Sequence, residues 1–169
     1  MDKSLFNRYW KNYKDTIESL LIRRANSGYI DIKNVNQEIT SMSRKWQSDR
    51  SIEGQWLQGL REENPSKANR VLQMITCFKL TEERFESPSI LKYYIFVGII
   101  GIISIFIVIS LSLSMWKTIL IPVLCVMLAY GFLIPQGNSK KELAKKNIVK
   151  KYSIQLDSLK SSIDQVLSD

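Results

Sequence analysis

The chain has 169 residues and carries 24 Lys and Arg against 16 Asp and Glu, a formal charge of +8. It has no histidine, two cysteines (Cys77 and Cys125) and seven glycines, which removes histidine triads, histidine metal sites, a disulfide framework and glycine-rich phosphate loops. The mean hydropathy is −0.09 although 24% of the residues are charged, so the apolar residues must be concentrated in one place. The length suits one modest domain plus a membrane anchor.

Residues 1–88 read as a cytoplasmic helical module. Leu5, Phe6, Tyr9, Trp10, Tyr13, Ile17, Leu20 and Leu21 recur at helical spacing, and Asn26, Ser27 and Gly28 form a helix end. Asp31 can cap a second helix carrying Ile32, Val35, Ile39, Met42 and Trp46; the stretch 28–32 can alternatively pair as a short strand. A third helix over residues 51–63 carries Ile52, Trp56, Leu57 and Leu60, weakened by Gly54 and Gly59. Asn64 and Pro65 start a fourth, a cap followed by proline at the first helical position. Ala68, Val71, Leu72, Ile75 and Phe78 give it an apolar face. Four short helices bury only a marginal core, so this module is expected to lean on a membrane surface, self-association or a partner. Ser87, Pro88 and Ser89 break the chain, and Ser89 is placed to cap the next helix.

Residues 89–136 read as a transmembrane hairpin. The first span, 93–115, is YYIFVGIIGIISIFIVISLSLSM, without a charge; as a helix it covers about 34 Å, more than a hydrocarbon core of about 30 Å. The second, 118–135, covers about 25 Å, with Pro122 expected in its first turns and Pro135, Gln136 and Gly137 expected to stop it. Only a short turn around Trp116 and Lys117 separates the two. Lys79, Arg84 and Lys92 precede the first span, and Lys140, Lys141, Lys145, Lys146, Lys150 and Lys151 follow the second. Both termini are therefore expected in the cytoplasm, by the positive-inside rule. Tyr93, Tyr94 and Trp116 fall where interfacial aromatics belong. The first span lies far from the N-terminus and reads as an uncleaved anchor.

Residues 137–169 read as a cytoplasmic basic helix. Val149, Tyr152, Leu156, Leu159, Ile163 and Val166 step by three and four, a short heptad seam that either assembles with another copy or packs on the N-terminal helices. The fold class expected is thus an all-α membrane protein: helical module, two-span hairpin, basic amphipathic tail.

Little here supports catalysis. Glu62, Glu63, Glu82, Glu83 and Glu86 stand in adjacent or near-adjacent positions that point apart on a helix and share no site. Cys77 reads as a packing residue and Cys125 as lipid-embedded. No enzyme activity, cofactor, metal or small-molecule substrate is expected. The six lysines of 140–151 suit an anionic membrane surface, at about 1 kcal/mol each, and enforce topology. Residues 1–92 interleave basic residues with Trp10, Trp46 and Trp56; these aromatics fall on the apolar stripe and read as core. Arg23 with Arg24 and Arg44 with Lys45 are left as candidates for contacting phosphate. Within the first span Gly98, Gly101, Ser104 and Ser112 permit close helix packing, in the hairpin itself or in an oligomer.

This layout, a hairpin over 93–135 with a short turn at 114–118 and flanking cytoplasmic helices, resembles the small two-transmembrane effectors of bacterial anti-phage systems. Those systems pair the effector with a retron reverse transcriptase or a nucleotide-second-messenger synthase. The resemblance implies a protein of the inner membrane, restrained by a regulatory protein or ribonucleoprotein. Once triggered, such a protein oligomerises and disrupts the membrane in abortive infection. The alternatives are a passive membrane scaffold for a soluble partner and an accessory subunit of a transport complex.

Overall fold

The computed structural model describes residues 3–81, 85–111 and 114–168. α1 (Lys3–Asn26) keeps an unbroken buried stripe from Phe6 through Trp10, Tyr13, Ile17 and Leu21 to Ala25. It ends where Gly28 takes a positive φ of 91°, a conformation that glycine adopts without steric cost. Next comes β1 (Tyr29–Ile30), paired antiparallel with β2 (Phe85–Glu86), Ile30 opposite Phe85. So the short strand allowed over 28–32 is confined to two residues, and Asp31 and Ile32 start the second helix as its cap and first residue. α2 (Ile32–Ser43) is capped by Asp31, whose carboxylate accepts from the Lys33 and Asn34 N–H groups. A 3-10 turn over Arg44–Gln47 brings in the buried Trp46. α3 (Ile52–Glu63) and α4 (Pro65–Cys77) start at Ser51 and Asn64, whose side chains accept from Gly54 N–H and Lys67 N–H. Cys77, expected to pack, is exposed at the last residue of α4.

The centre of this unit is aromatic. Phe6, Trp10 and Tyr13 of α1 meet Trp46 and Trp56, with neighbouring ring centroids 5.1 to 6.4 Å apart. Offset and edge-on contacts of this kind add to the area they bury. Gly54 lets the loop close on α3. A methyl group there would come within 2.0 Å of the Ser48 carbonyl oxygen, whereas one at Gly59 would meet nothing within 4 Å. The first glycine is required by packing, and the second is only a helix weakness.

The chain divides into two units, Met1–Glu86 with Asn147–Asp169, and Ser87–Lys146. The first therefore includes the end of α6 (Met115–Ser168). Lys3 Nζ donates to Ser168 Oγ at 2.9 Å, Lys14 Nζ to Asp157 at 2.5 Å, and Ser153 Oγ to Glu18 at 2.6 Å. Eleven and then four residues forward along α1 match eleven and four back along α6, so the two helices run antiparallel in one register. Tyr152, Leu156 and Ile163 are fully buried and Val166 nearly so, while Val149 and Leu159 are half-buried. Gln155 clamps Thr81, accepting from its N–H and donating to its hydroxyl. The heptad seam is thus taken up by the N-terminal helices of the same chain.

The second unit holds α5 (Leu91–Ser110) and the first part of α6. Both helices are long and apolar enough to cross a membrane. Two proline expectations are corrected. α6 begins at Met115 and continues to Ser168, so Pro122 and Pro135 both lie inside it. Proline removes one N–H and crowds the carbonyl four residues back. Apolar helices packed against a neighbour tolerate this by local adjustment.

Three consequences are measurable on the full chain in detergent. Gly54→Ala should destabilise by roughly 1–3 kcal/mol, through overpacking against backbone, while Gly59→Ala should stabilise by about 0.5–1 kcal/mol. Leu156→Ala should cost about 2–5 kcal/mol, as a fully buried core leucine does.

The third concerns pH. Burial pushes the Tyr13 phenol well above its ordinary value of 10.0. The hydrogen bond to Asp157 is the main cause raising Lys14 above 10.5, with partial burial opposing it. A pKa raised by folding contributes stability that is fully present below the ordinary value and is lost as pH climbs through the folded one. Thermal melts should therefore hold up to about pH 10 and fall above it. Tyr13→Phe, which removes a buried hydroxyl without a hydrogen-bond partner among the described residues, should make that fall shallower and leave neutral-pH stability nearly unchanged.

Candidate functional site: the apolar hairpin and its basic collar

Val97, Gly101, Ser104 and Val108 are the buried residues of α5, spaced four, three and four apart, so they form one face of the helix. The facing surface of α6 includes Pro122, Val126, Ile134 and Gly137, buried or half-buried. A methyl group on Gly101 would lie 2.9 Å from Val126 Cγ2, and one on Gly137 would lie 2.8 Å from the Tyr93 ring. Tyr94 and Tyr130 place their ring centroids 6.3 Å apart. Partners move backward along α6 as they move forward along α5, so the helices form an antiparallel hairpin. Small residues at two levels of this interface let the backbones approach closely.

The small residues singled out in the sequence separate into two groups. Gly101 and Ser104 belong to the hairpin's own interface, where the Ser104 hydroxyl donates to the Gly101 carbonyl at 2.8 Å. Gly98 is exposed, and a methyl group there would meet nothing within 4 Å. Ser112 lies outside the described residues. The two serines of α5 have their hydroxyls engaged by the helix backbone. Ser110 Oγ donates to the Phe106 carbonyl at 2.8 Å, so the backbone of α5 satisfies both described hydroxyls. Of the aromatic anchors, Tyr93 is half-buried over Gly137, with Lys92 Nζ 5.5 Å from its ring centroid. Tyr94 is about half exposed and Trp116 almost wholly so. Sequence inspection missed Gly137, read only as a helix stop; its closeness to Tyr93 depends on the hairpin register.

The six lysines sit on α6 just beyond the apolar stretch. At about 100° per residue, Lys140 and Lys151 share one side, Lys141 and Lys145 a second, and Lys146 and Lys150 a third. They form a collar around the helix, which is the distribution that resists entry into hydrocarbon from any side. Glu142 lies within the collar. Its carboxyl is held below the ordinary carboxylate range, first by its hydrogen bond with Lys145 at 2.8 Å and then by the surrounding lysine charges.

Elsewhere, Arg24 is tied to Glu38 at 2.7 Å, while Arg44 lines an open cleft beside α2. Among the described residues no three of Cys, Asp and Glu gather as a metal site requires. No protein-family model matches the chain, and neither a curated protein nor a solved structure does.

The two glycines of α5 should respond differently to bulk. Gly101→Leu should loosen the hairpin by roughly 1–3 kcal/mol, since the added carbons meet Val126. Gly98→Leu should leave the melting of detergent-solubilised monomer unchanged within about 0.5 kcal/mol, as open surface sites do.

Proposed function

We propose that the chain is a two-span protein of the cell's inner membrane with both termini in the cytoplasm. In this reading the hairpin anchors the helical module, and the module recruits a soluble partner at the membrane surface. The observation that carries it is the uncovered apolar surface of the two long helices. Only 17% and 11% of their most apolar windows is buried within the protein. Residues such as Phe106, Leu128 and Phe132 stand about two-thirds exposed or more. A core helix of a soluble protein has its apolar surface covered; here lipid supplies the cover. The lysine collar after the second span, against Lys117 alone between residues 93 and 135, in the first turn of α6, supports the orientation. Anchoring is preferred over assembly because both devices suited to self-association act inside one chain. Gly101 and Ser104 serve the hairpin, and the heptad seam serves the module.

A second reading is favoured by one feature, the open Gly98 position on the outward side of α5. In it the protein is the effector of an anti-phage defence system. Released from a regulatory protein or ribonucleoprotein, it forms a homo-oligomer through that face and disrupts the inner membrane. The layout resemblance supports this reading as well.

Cys77 tests orientation directly, because it is exposed while Cys125 lies half-buried in the hairpin. A membrane-impermeant maleimide should label Cys77 in inverted vesicles and not in intact spheroplasts; the opposite pattern overturns the orientation. Induced expression distinguishes the two activities. The anchor keeps membrane potential normal and tolerates replacement of the hairpin by another of equal length. The effector depolarises cells and loses that effect in Gly98→Leu while still inserting.

A further inference from the structure

Lys33, Gln37 and Thr40 of α2 and Arg44, the helical residue just after its end, follow one another at intervals of four, three and four, so they share a face. They line an open cleft of about 530 Å³ together with Ser41 and Lys79, a volume within the range of small-molecule sites. Lys79 arrives from a part of the chain remote in sequence, and Asn36 puts it there. The Asn36 side chain accepts from the Leu80 N–H at 2.8 Å and donates to the Leu80 carbonyl at 3.1 Å. This paired contact fixes segment 78–81 along α2 as a neighbouring strand would.

The charge in this cleft is one-sided. Among the described residues three cations line it and no carboxylate does. Among the described residues none of the three has an ion pair, whereas Lys14, Arg24, Lys145 and Lys160 elsewhere in the chain do. Lys33 stands in the first turn of α2, where the helix dipole disfavours a cation. The nearby Asp31 carboxylate is already engaged by two backbone N–H groups and the Asn34 amide. Ser41 and Gln37 add a hydroxyl and an amide as neutral donors. Lys33 and Arg44 lie roughly 16 Å apart along the helix axis. That spacing leaves room for more than one phosphate between the two side chains, and Lys79 adds a third cation from segment 78–81. Arginine binds phosphate through two parallel hydrogen bonds and lysine as a point charge.

We propose that the cleft between α2 and segment 78–81 binds a phosphorylated small molecule bearing two or more linked or neighbouring phosphates. Lys33, Arg44 and Lys79 are its charged contacts. The same chemistry occurs in a soluble nucleoside polyphosphate and in a multiply phosphorylated lipid headgroup.

The test uses the full chain in nanodiscs of neutral lipid, with inorganic tripolyphosphate as the soluble probe followed by calorimetry. One variant combines Lys33→Gln, Arg44→Gln and Lys79→Gln. A control removes the same charge at three exposed positions outside the cleft, Arg50→Gln, Arg61→Gln and Arg70→Gln. The expected result is one saturable site that the cleft variant weakens at least about tenfold, as loss of several charge-assisted contacts implies, and the control weakens less than about twofold. Binding seen only with vesicles containing a phosphoinositide bisphosphate, with the same dependence on the cleft residues, supports the site and assigns it to a headgroup. Equal weakening in both variants means diffuse attraction to a basic chain and overturns the proposal. So does absence of binding to either probe, or binding of a single-stranded RNA that tripolyphosphate does not displace. A circular dichroism spectrum matching the parent's keeps each variant interpretable, and Lys33→Arg with Lys79→Arg should retain binding.

Discussion

The fold of the helical module depends on one contact, the antiparallel docking of the end of α6 on α1. Four short helices alone have too little interior to bury the aromatic cluster of Phe6, Trp10, Trp46 and Trp56. The seam residues Tyr152, Leu156 and Ile163 close that interior and are themselves fully buried. Polar contacts fix the register rather than supply the drive. Lys14 with Asp157, Glu18 with Ser153 and Lys3 with Ser168 are partly exposed pairs, which are typically worth about 0–1 kcal/mol each. The docking also gives the chain its connectivity. The module is assembled from sequence on both sides of the apolar hairpin, so it is complete only when the chain has passed through both long helices.

The hairpin obeys a different constraint. Its interface is made where side chains are small, at Gly101 and Gly137, the kind of contact that still holds two helices together where apolar bulk alone would not, as in a hydrocarbon solvent. Close approach and dispersion contacts remain, together with the ring of Tyr93 lying over Gly137. Pro122 and Pro135 are compatible with this arrangement because the helix around them packs on a partner.

Much of this organisation is legible residue by residue. Gly28 after the first apolar stripe, Asp31 and Ser51 before the next two, and the Asn64 and Pro65 pair each carry a local physical signal, and each marks an actual helix boundary. The charge-free run after residue 92 is equally plain. What is not legible depends on partners far along the chain. Reading proline as a stop at 135 weighs only its missing N–H and local crowding, whereas the helix there continues through it. Gly54 looks like a weak point of α3 until the Ser48 carbonyl is seen pressed against it. Gly98 and Gly101 read alike in the sequence as small residues that permit packing, yet burial falls on the face of Val97, Gly101, Ser104 and Val108, because the position of the second helix chooses the face. Arg44 was visible as a candidate for phosphate contact. Lys33 and Lys79 were not, since only the clamp between Asn36 and Leu80 brings them to the same cleft.

The positive charge of the chain is therefore of two kinds, and their geometry separates their roles. The collar of residues 140–151 surrounds a helix on all sides and holds one carboxylate, Glu142. Such a distribution acts on a surface as a whole and sets which end of a span stays in the cytoplasm. In the cleft beside α2, three cations from two parts of the chain line one concave surface, with no carboxylate among its described lining residues, and a side-chain-to-backbone clamp fixes the segment that brings Lys79. That distribution has a shape, and a shape can discriminate among anions where a collar cannot. A mechanism in which the membrane holds the protein and a phosphorylated ligand addresses it would need both kinds, placed on different elements, and this chain has them there.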